Sequence, residues 1–112
     1  MLRGDVCDAR LDPTEGSEQA GTRPVIVVSR DAINQYSPVV VIVPVTDARN
    51  VSRRYPSDVA VSAGDSGLPM DSVALTAQVR AIARSRLLRQ RGRLSPDVMQ
   101  EISAALRITL DL

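Results

Sequence analysis

Two stretches of almost unbroken β-branched side chains constrain this chain more than anything else in it: PVIVVS at residues 24–29 and VVVIVPVT at residues 39–46. Val and Ile fit the pleated surface of a sheet. Apolar runs of this length, without alternation, belong to strands covered on both faces. The chain has no Phe and no Trp, and Tyr36 and Tyr55 are its only aromatic residues. Aliphatic side chains must therefore fill the core. At 112 residues the length predicts one domain, 1–112, around one compact interior.

Alternation and punctuation place the other elements. Residues 3–11 alternate, with Cys7, Ala9 and Leu11 on one face, and Asp12-Pro13 ends that strand. Residues 12–22, DPTEGSEQAGT, are polar and hold two glycines. The segment exceeds the roughly 2–5 residues usual in a hairpin connection, and long loops in compact domains are often functional. Residues 30–37 predict a short helical turn or a loop. Pro44 predicts an edge or a bulge at the end of the second apolar run. Residues 47–57 read as a polar, Arg-rich loop, 58–62 as a fourth strand and 63–71 as a turn. Residues 72–80 read as a fifth strand, with Val73, Leu75 and Val79 on one face and Thr76, Gln78 and Arg80 on the other. Residues 83–91 suggest a short helix ended by Gly92. Ser95-Pro96 opens a C-terminal helix with a hydroxyl cap and Pro at the first helical position. Val98, Ile102, Leu106 and Leu110 then recur every fourth residue as its apolar face. Many short strands with one closing helix predict a mainly β fold with α: a small antiparallel barrel carrying a C-terminal amphipathic helix.

The charged residues exclude whole classes of chemistry. There is no His, and all 14 basic residues are Arg. Without imidazole no His-based acid–base pair and no Ser-His-Asp or Cys-His nucleophile can form. Cys7 stands alone, which with no imidazole nearly excludes zinc and leaves no disulfide within the chain; it reads as a small buried residue. Asp5, Asp8 and Asp12 divide between the two faces of a strand, so no divalent site is expected. No metal and no other cofactor is predicted. A formal net charge of +1 means that any nucleic acid must be gripped at a local site rather than by bulk charge. Arg80, Arg84, Arg86, Arg89, Arg91 and Arg93 form a basic run with two readings: a guide for phosphates or the solvated face of a short helix. No segment reaches the roughly 20 apolar residues of a membrane span, and the N-terminus has no apolar signal region. A cytoplasmic location is the expectation.

Five segments in order carry a resemblance: RGDV at 3–6, LDPTEGSEQAGTRPVIVVS at 11–29, VVIVPVT at 40–46, QVRAIARSRL at 78–87 and GRLSPDVMQEISAALRITLDL at 92–112. Together they resemble the MazF/PemK (Kid) toxins of bacterial toxin–antitoxin pairs over nearly the whole chain. The resemblance implies an SH3-like barrel of the CcdB/MazF type that forms a homodimer and acts as a sequence-selective endoribonuclease (mRNA interferase) on single-stranded RNA. It implies a protein antitoxin, MazE-like, as partner. By the same resemblance Arg23 and Thr46 are the catalytic pair. Gly16, Ser17, Glu18 and Gln19 seat the RNA, and Gln78 lines its cleft. Two departures stand out: Cys7 and Asp8 where relatives often carry aromatics, and Ala81 where many carry Thr.

The residue types suit that chemistry. RNA brings its own nucleophile, the 2′-hydroxyl, whose attack on the adjacent phosphorus needs no metal and yields a 2′,3′-cyclic phosphate and a 5′-hydroxyl. A guanidinium meets two phosphate oxygens at once but is a poor proton acceptor. Arg23 is therefore assigned to charge stabilisation and leaving-group protonation, and Thr46 to holding the phosphate or orienting the 2′-hydroxyl. Glu18 is the nearest proton acceptor, ranked below a binding role. Read without the resemblance, Arg23 is a strand-end charge, Thr46 a strand terminus, Glu18 a surface charge and Gln78 a solvated strand residue. The rival functions are a non-catalytic gyrase-binding toxin of the CcdB kind, which has no need of Arg23 and Thr46, and an inactive RNA-binding relative.

Overall fold

The computed structural model describes residues 1–112. In chain order its elements are β1 (Asp5–Arg10), β2 (Thr22–Val27), α1 (Asp31–Tyr36), β3 (Val39–Asp47), β4 (Asp58–Val61), α2 (Ala63–Ser66), β5 (Ser72–Leu75), β6 (Arg80–Ala83), β7 (Leu87–Arg93) and α3 (Pro96–Leu110). All strand pairs are antiparallel. Their order is β4-β5-β3-β2-β1-β7, with β6 also on β3. This is the expected mainly β, barrel-like fold with a C-terminal helix, although strand pairing does not close β4 onto β7. No helix is long and apolar enough to cross a membrane.

The two β-branched runs became β2 and β3, and both are buried on both faces. Ile26, Val28, Val43 and Val45 join a core with Val6 and with Ile102 of α3. Val25, Val27, Val40 and Ile42 join a second core on the opposite face, with Cys7, Ala9 and Leu11. Fully burying each such aliphatic side chain stabilises by roughly 1.5–3 kcal/mol. That two-sided burial is why neither segment alternates. Within the second core, desolvation and then the nearby Asp5 charge push the Cys7 thiol up to about 11, so it is a packing residue and not a nucleophile at neutral pH.

Pro44 sits at neither an edge nor a bulge. On one side of β3 it lies opposite Val25 of β2. Val28 N donates to Val41 O, so by alternation Val43 also faces β2 and Pro44 turns its nitrogen the other way. On that other side β3 pairs with β6 through Val39–Ile42 and with β5 from Val45 onward. Pro44 falls where the partner changes, and no ladder bond is lost there.

Two expected elements are also corrected. Residues 72–80 are not one strand: β5 ends at Leu75, a 3₁₀ turn covers Thr76–Gln78, and β6 begins at Arg80. The break turns Thr76 inward, where it is fully buried. Its Oγ1 donates to Ser57 O at 2.6 Å and lies 2.9 Å from Thr109 Oγ1. Residues 83–91 are not a helix. After a short 3₁₀ turn they form β7, whose ladder partner is β1, a strand some eighty residues earlier that local pattern cannot reveal. In α3, Ser95 Oγ caps Val98 N. The buried stripe is Met99, Ile102 and Ala105, flanked by Val98 and Leu106, while Leu110 is exposed.

The open ends of the sheet meet through α2, which packs on β7. Gly67 ends α2 at φ +74, and a Cβ there would strike the Arg91 carbonyl. Across the contact, a Cβ on Gly92 would lie 2.5 Å from Ser66 O. Two glycines thus let two backbones touch. Gly92→Ala is expected to destabilise the chain by about 1–3 kcal/mol, as overpacking does, and urea unfolding checks it through a lowered midpoint at an unchanged slope.

Candidate active site

The long β1–β2 loop is held at both ends by side chains from the second half of the chain. Arg80 Nη1 donates to Leu11 O at 3.1 Å. Arg86 donates to Arg10 O at 3.1 Å and to Asp12 O. At the far end Gln78 Oε1 accepts from Gln19 N at 2.8 Å and Gln78 Nε2 donates to Ser17 O at 3.4 Å. Arg84 donates to Ser37 O, Arg91 pairs with Asp8 at 3.2 Å and Arg93 with Asp5 at 2.8 Å. The basic run is therefore neither a helix face nor a free phosphate track. A planar fork of donors suits tying carbonyls and carboxylates together, and within the run only Arg89 has no hydrogen-bond or ion-pair partner. Asp5 and Asp8 are each committed to an Arg, and no three acidic or thiol side chains converge.

Arg23 and Thr46 come together. Val25 pairs with Pro44 at the last rung of the β2–β3 ladder, and Arg23 and Thr46 each lie two residues beyond that rung on their own strands. Both line one cleft of about 540 Å³, walled also by Asp8, Asn50, Met70 and Arg91. Arg23 is exposed, and its Nε donates to Ala20 O at 3.1 Å. That bond orients the guanidinium and leaves its terminal nitrogens without protein partners. Thr46 is buried, and its Oγ1 accepts from Asn50 Nδ2 at 3.2 Å. A hydroxyl whose oxygen is already accepting keeps its proton to donate. Next to it, Asp47 caps a 3₁₀ turn by accepting from Arg49 N at 2.9 Å and pairs with the Arg49 guanidinium at 2.7 Å. Those side-chain and backbone bonds from Arg49 hold the Asp47 carboxyl below its ordinary 3.8, and the pair raises Arg49 in turn. A depressed carboxylate gives its stability above the unfolded value and loses it only as pH falls through the folded one. The Asp47–Arg49 pair is thus fully charged around neutral pH.

The remaining expected residues divide. Gln19 and Gln78 line a second cleft of about 400 Å³ that shares Thr46 and Asn50 with the first. Glu18 lines a smaller groove with Pro44 and Arg80, and its Oε1 accepts from Glu15 N at 3.2 Å. Gly16 and Ser17 line none of these. Gly16 turns the loop at φ +56 and Ser17 supplies a carbonyl to Gln78. Sequence reasoning missed Asn50, Asp47 and Arg49, which it left in a merely polar loop. The signal was there in TDARN at 46–50, where an Asp heads a short helical turn. Of the two departures, Cys7 lies in the core away from the cleft and Ala81 sits exposed on β6 opposite Val41, while Asp8 walls the cleft itself.

Comparison with known proteins then decides the family. The model described as "PemK-like, MazF-like toxin of type II toxin-antitoxin system" matches residues 2–110. The chain belongs to the PemK/MazF toxin family. Endoribonuclease MazF9 of Mycobacterium tuberculosis (strain ATCC 25618 / H37Rv) is 40% identical over the whole of this PemK/MazF chain and 98% of its own length. Two solved structures share the fold. An endoribonuclease in complex with its cognate antitoxin from a mycobacterial species superposes with a TM-score of 0.82 at 27% identity, covering 100% of this chain and 96% of that one. MazF (Form-I) from Deinococcus radiodurans gives 0.84 at 27% identity, covering 100% and 97%.

In this PemK/MazF chain Gln78 acts first as a tether for the loop. Gln78→Ala is expected to speed hydrogen exchange at the Gln19 amide by about 5-fold, the worth of one hydrogen bond near 1 kcal/mol. Native-state exchange measured residue by residue checks this, and an unchanged Gln19 rate would show the tether to be idle.

Proposed function

We propose that residues 1–112 form one toxin domain that cuts single-stranded RNA at the cleft between Arg23 and Thr46, without a metal. One observation carries the reading: a guanidinium with free terminal nitrogens and a hydroxyl with a free proton, from neighbouring strands, face one open cleft. The family and the relative named an endoribonuclease support it, and they favour it over a gyrase-binding or inactive relative.

The steps follow from these groups. The 2′-hydroxyl of the bound nucleotide attacks its own 3′-phosphorus. Negative charge grows on the non-bridging oxygens, and Arg23 meets it with two parallel N–H donors. Thr46 donates its proton to a phosphate oxygen while Asn50 fixes where its oxygen points. The 5′-oxygen leaves with a proton, taken from Arg23 or from water, to give a 5′-hydroxyl beside a 2′,3′-cyclic phosphate. Glu18, Gln19 and the loop they sit on hold the strand that enters, with Gly16 and Ser17 shaping the loop. With no imidazole, amine or thiol in the cleft, proton removal falls to solvent or to a carboxylate, and turnover is modest.

The toxin works as a homodimer in the cytoplasm, where its RNA is found. An acidic, extended antitoxin tail laid over the cleft silences it, and one relative of known structure is held by its cognate antitoxin. Native mass spectrometry of toxin with antitoxin is expected to show an even number of toxin chains, and the complex is expected to leave RNA uncut. Full-rate cleavage by a ternary complex would refute a shared surface.

The direct test incubates mixed-sequence RNA with the protein in EDTA and reads the fragment ends. Cyclic-phosphate and 5′-hydroxyl ends are expected, with Arg23→Ala slower by about 10²–10³ as for a lost transition-state donor. The rate profile is expected to show no inflection between about pH 6 and 8, where His alone titrates by type. Undiminished cutting by Arg23→Ala, or a requirement for magnesium, would refute the assignment.

A further inference from the structure

The second cleft has a wall that the reaction above does not use. It opens beside the first, with Thr46 and Asn50 common to both, and on its other side stand Arg53 and Tyr55. The Arg53 guanidinium carbon lies 5.5 Å from the centroid of the Tyr55 ring. In a chain that fills its cores with Val, Ile and Leu, this ring remains 57% exposed. Its setting is nonetheless firm. Tyr55 N donates to Asp58 Oδ2 and Tyr55 O accepts from Asp58 N, both at 2.9 Å. Two residues on, Ser57 O accepts from the fully buried Thr76, from its N at 3.3 Å and from its Oγ1 at 2.6 Å. The other aromatic, Tyr36, lines no cleft.

A solvent-facing ring and a guanidinium plane, on a rigid loop, in a cleft that continues from a phosphate site, form a surface for an unstacked base. Single-stranded RNA is gripped by stacking its bases on aromatic rings and Arg planes. A ring without directional donors at its face accepts any of the four bases, and the polar wall selects among them. The Asn50 side-chain oxygen and the Ser57 hydroxyl supply that wall, since the Gln78 amide is committed to the β1–β2 loop and the Asn50 Nδ2 to Thr46. We propose that Tyr55, with Arg53, is the stacking subsite for the nucleobase next to the scissile phosphate. The proposal rests on the endoribonuclease reading and adds a position at which RNA sequence is sensed.

The test uses the full-length protein and an RNA oligonucleotide spanning a mapped cut. Tyr55→Ala is expected to lower kcat/KM by about 5- to 150-fold, the range for loss of one stacked base, and chiefly through KM. Tyr55→Phe keeps the ring and is expected to restore cleavage. Arg53→Ala, at an exposed position, is the second variant and lowers kcat/KM in the same direction. An abasic nucleotide on one side of the cut is expected to impose the loss on the wild-type chain and to erase its advantage over Tyr55→Ala, whereas a general structural defect would persist at every abasic position. A Tyr55→Ala chain that cuts as well as wild type, or whose loss is the same on every abasic substrate, overturns the subsite and leaves the nuclease reading standing. A wild-type chain that leaves RNA intact overturns both.

Discussion

The pairing of β2 with β3 bears most of what this molecule is. Val25, Ile26 and Val27 of β2 and Val40, Ile42, Val43 and Val45 of β3 are buried, and each belongs to one of two cores. A slip of one residue would send every Val and Ile of a strand to the wrong core, and the register is therefore held by the full aliphatic burial of both. The ladder that ends at Val25 and Pro44 leads on to Arg23 and Thr46, which line one cleft. The cleft inherits its geometry from the cores, because the two strands that carry Arg23 and Thr46 are fixed by them. A site built on strands in this way is more rigid than one built on loops.

The loop that borders the cleft has the opposite problem. It is polar, turns through two glycines and has little apolar surface of its own. Arg80, Arg86 and Gln78 supply from outside the hydrogen bonds that the loop cannot make internally. This explains why a chain with almost no net charge invests so many Arg residues in one stretch. They serve as multi-pronged donors to carbonyls and to Asp5 and Asp8, whereas Arg23 spends only its Nε on Ala20 O and keeps its terminal nitrogens open to the cleft. The cleft holds fixed donors and charge and no imidazole, a composition suited to electrostatic stabilisation of a developing charge.

Several features were legible before any coordinates. The β-branched runs announced β2 and β3, the alternating N-terminal segment announced β1, and Ser95-Pro96 announced α3, because burial period and capping are local properties. The pattern around Arg23 and Thr46 announced a toxin family. The break at Thr76–Gln78 was not legible, since Thr76 is turned inward by partners on Ser57 and Thr109 that lie far away in sequence. Nor was β7: its sequence LLRQRGR has the Arg and Gln of an exposed helix and becomes a strand only because β1 presents an open edge.

The sequence by itself determined the material and the excluded chemistry: an aliphatic β core, a terminal helix, a long polar loop before Arg23, and no imidazole to shuttle protons. Only the tertiary structure decided what faces what. It gave the basic run its structural work, turned Gln78 from a cleft-lining residue into a tether as well, and brought Asn50 to Thr46 and Tyr55 to the neighbouring cleft. The physical reason is that period and capping act between residues a few positions apart, whereas a hydrogen bond or a cleft wall depends on which distant backbone the folded sheet brings within about 3 Å.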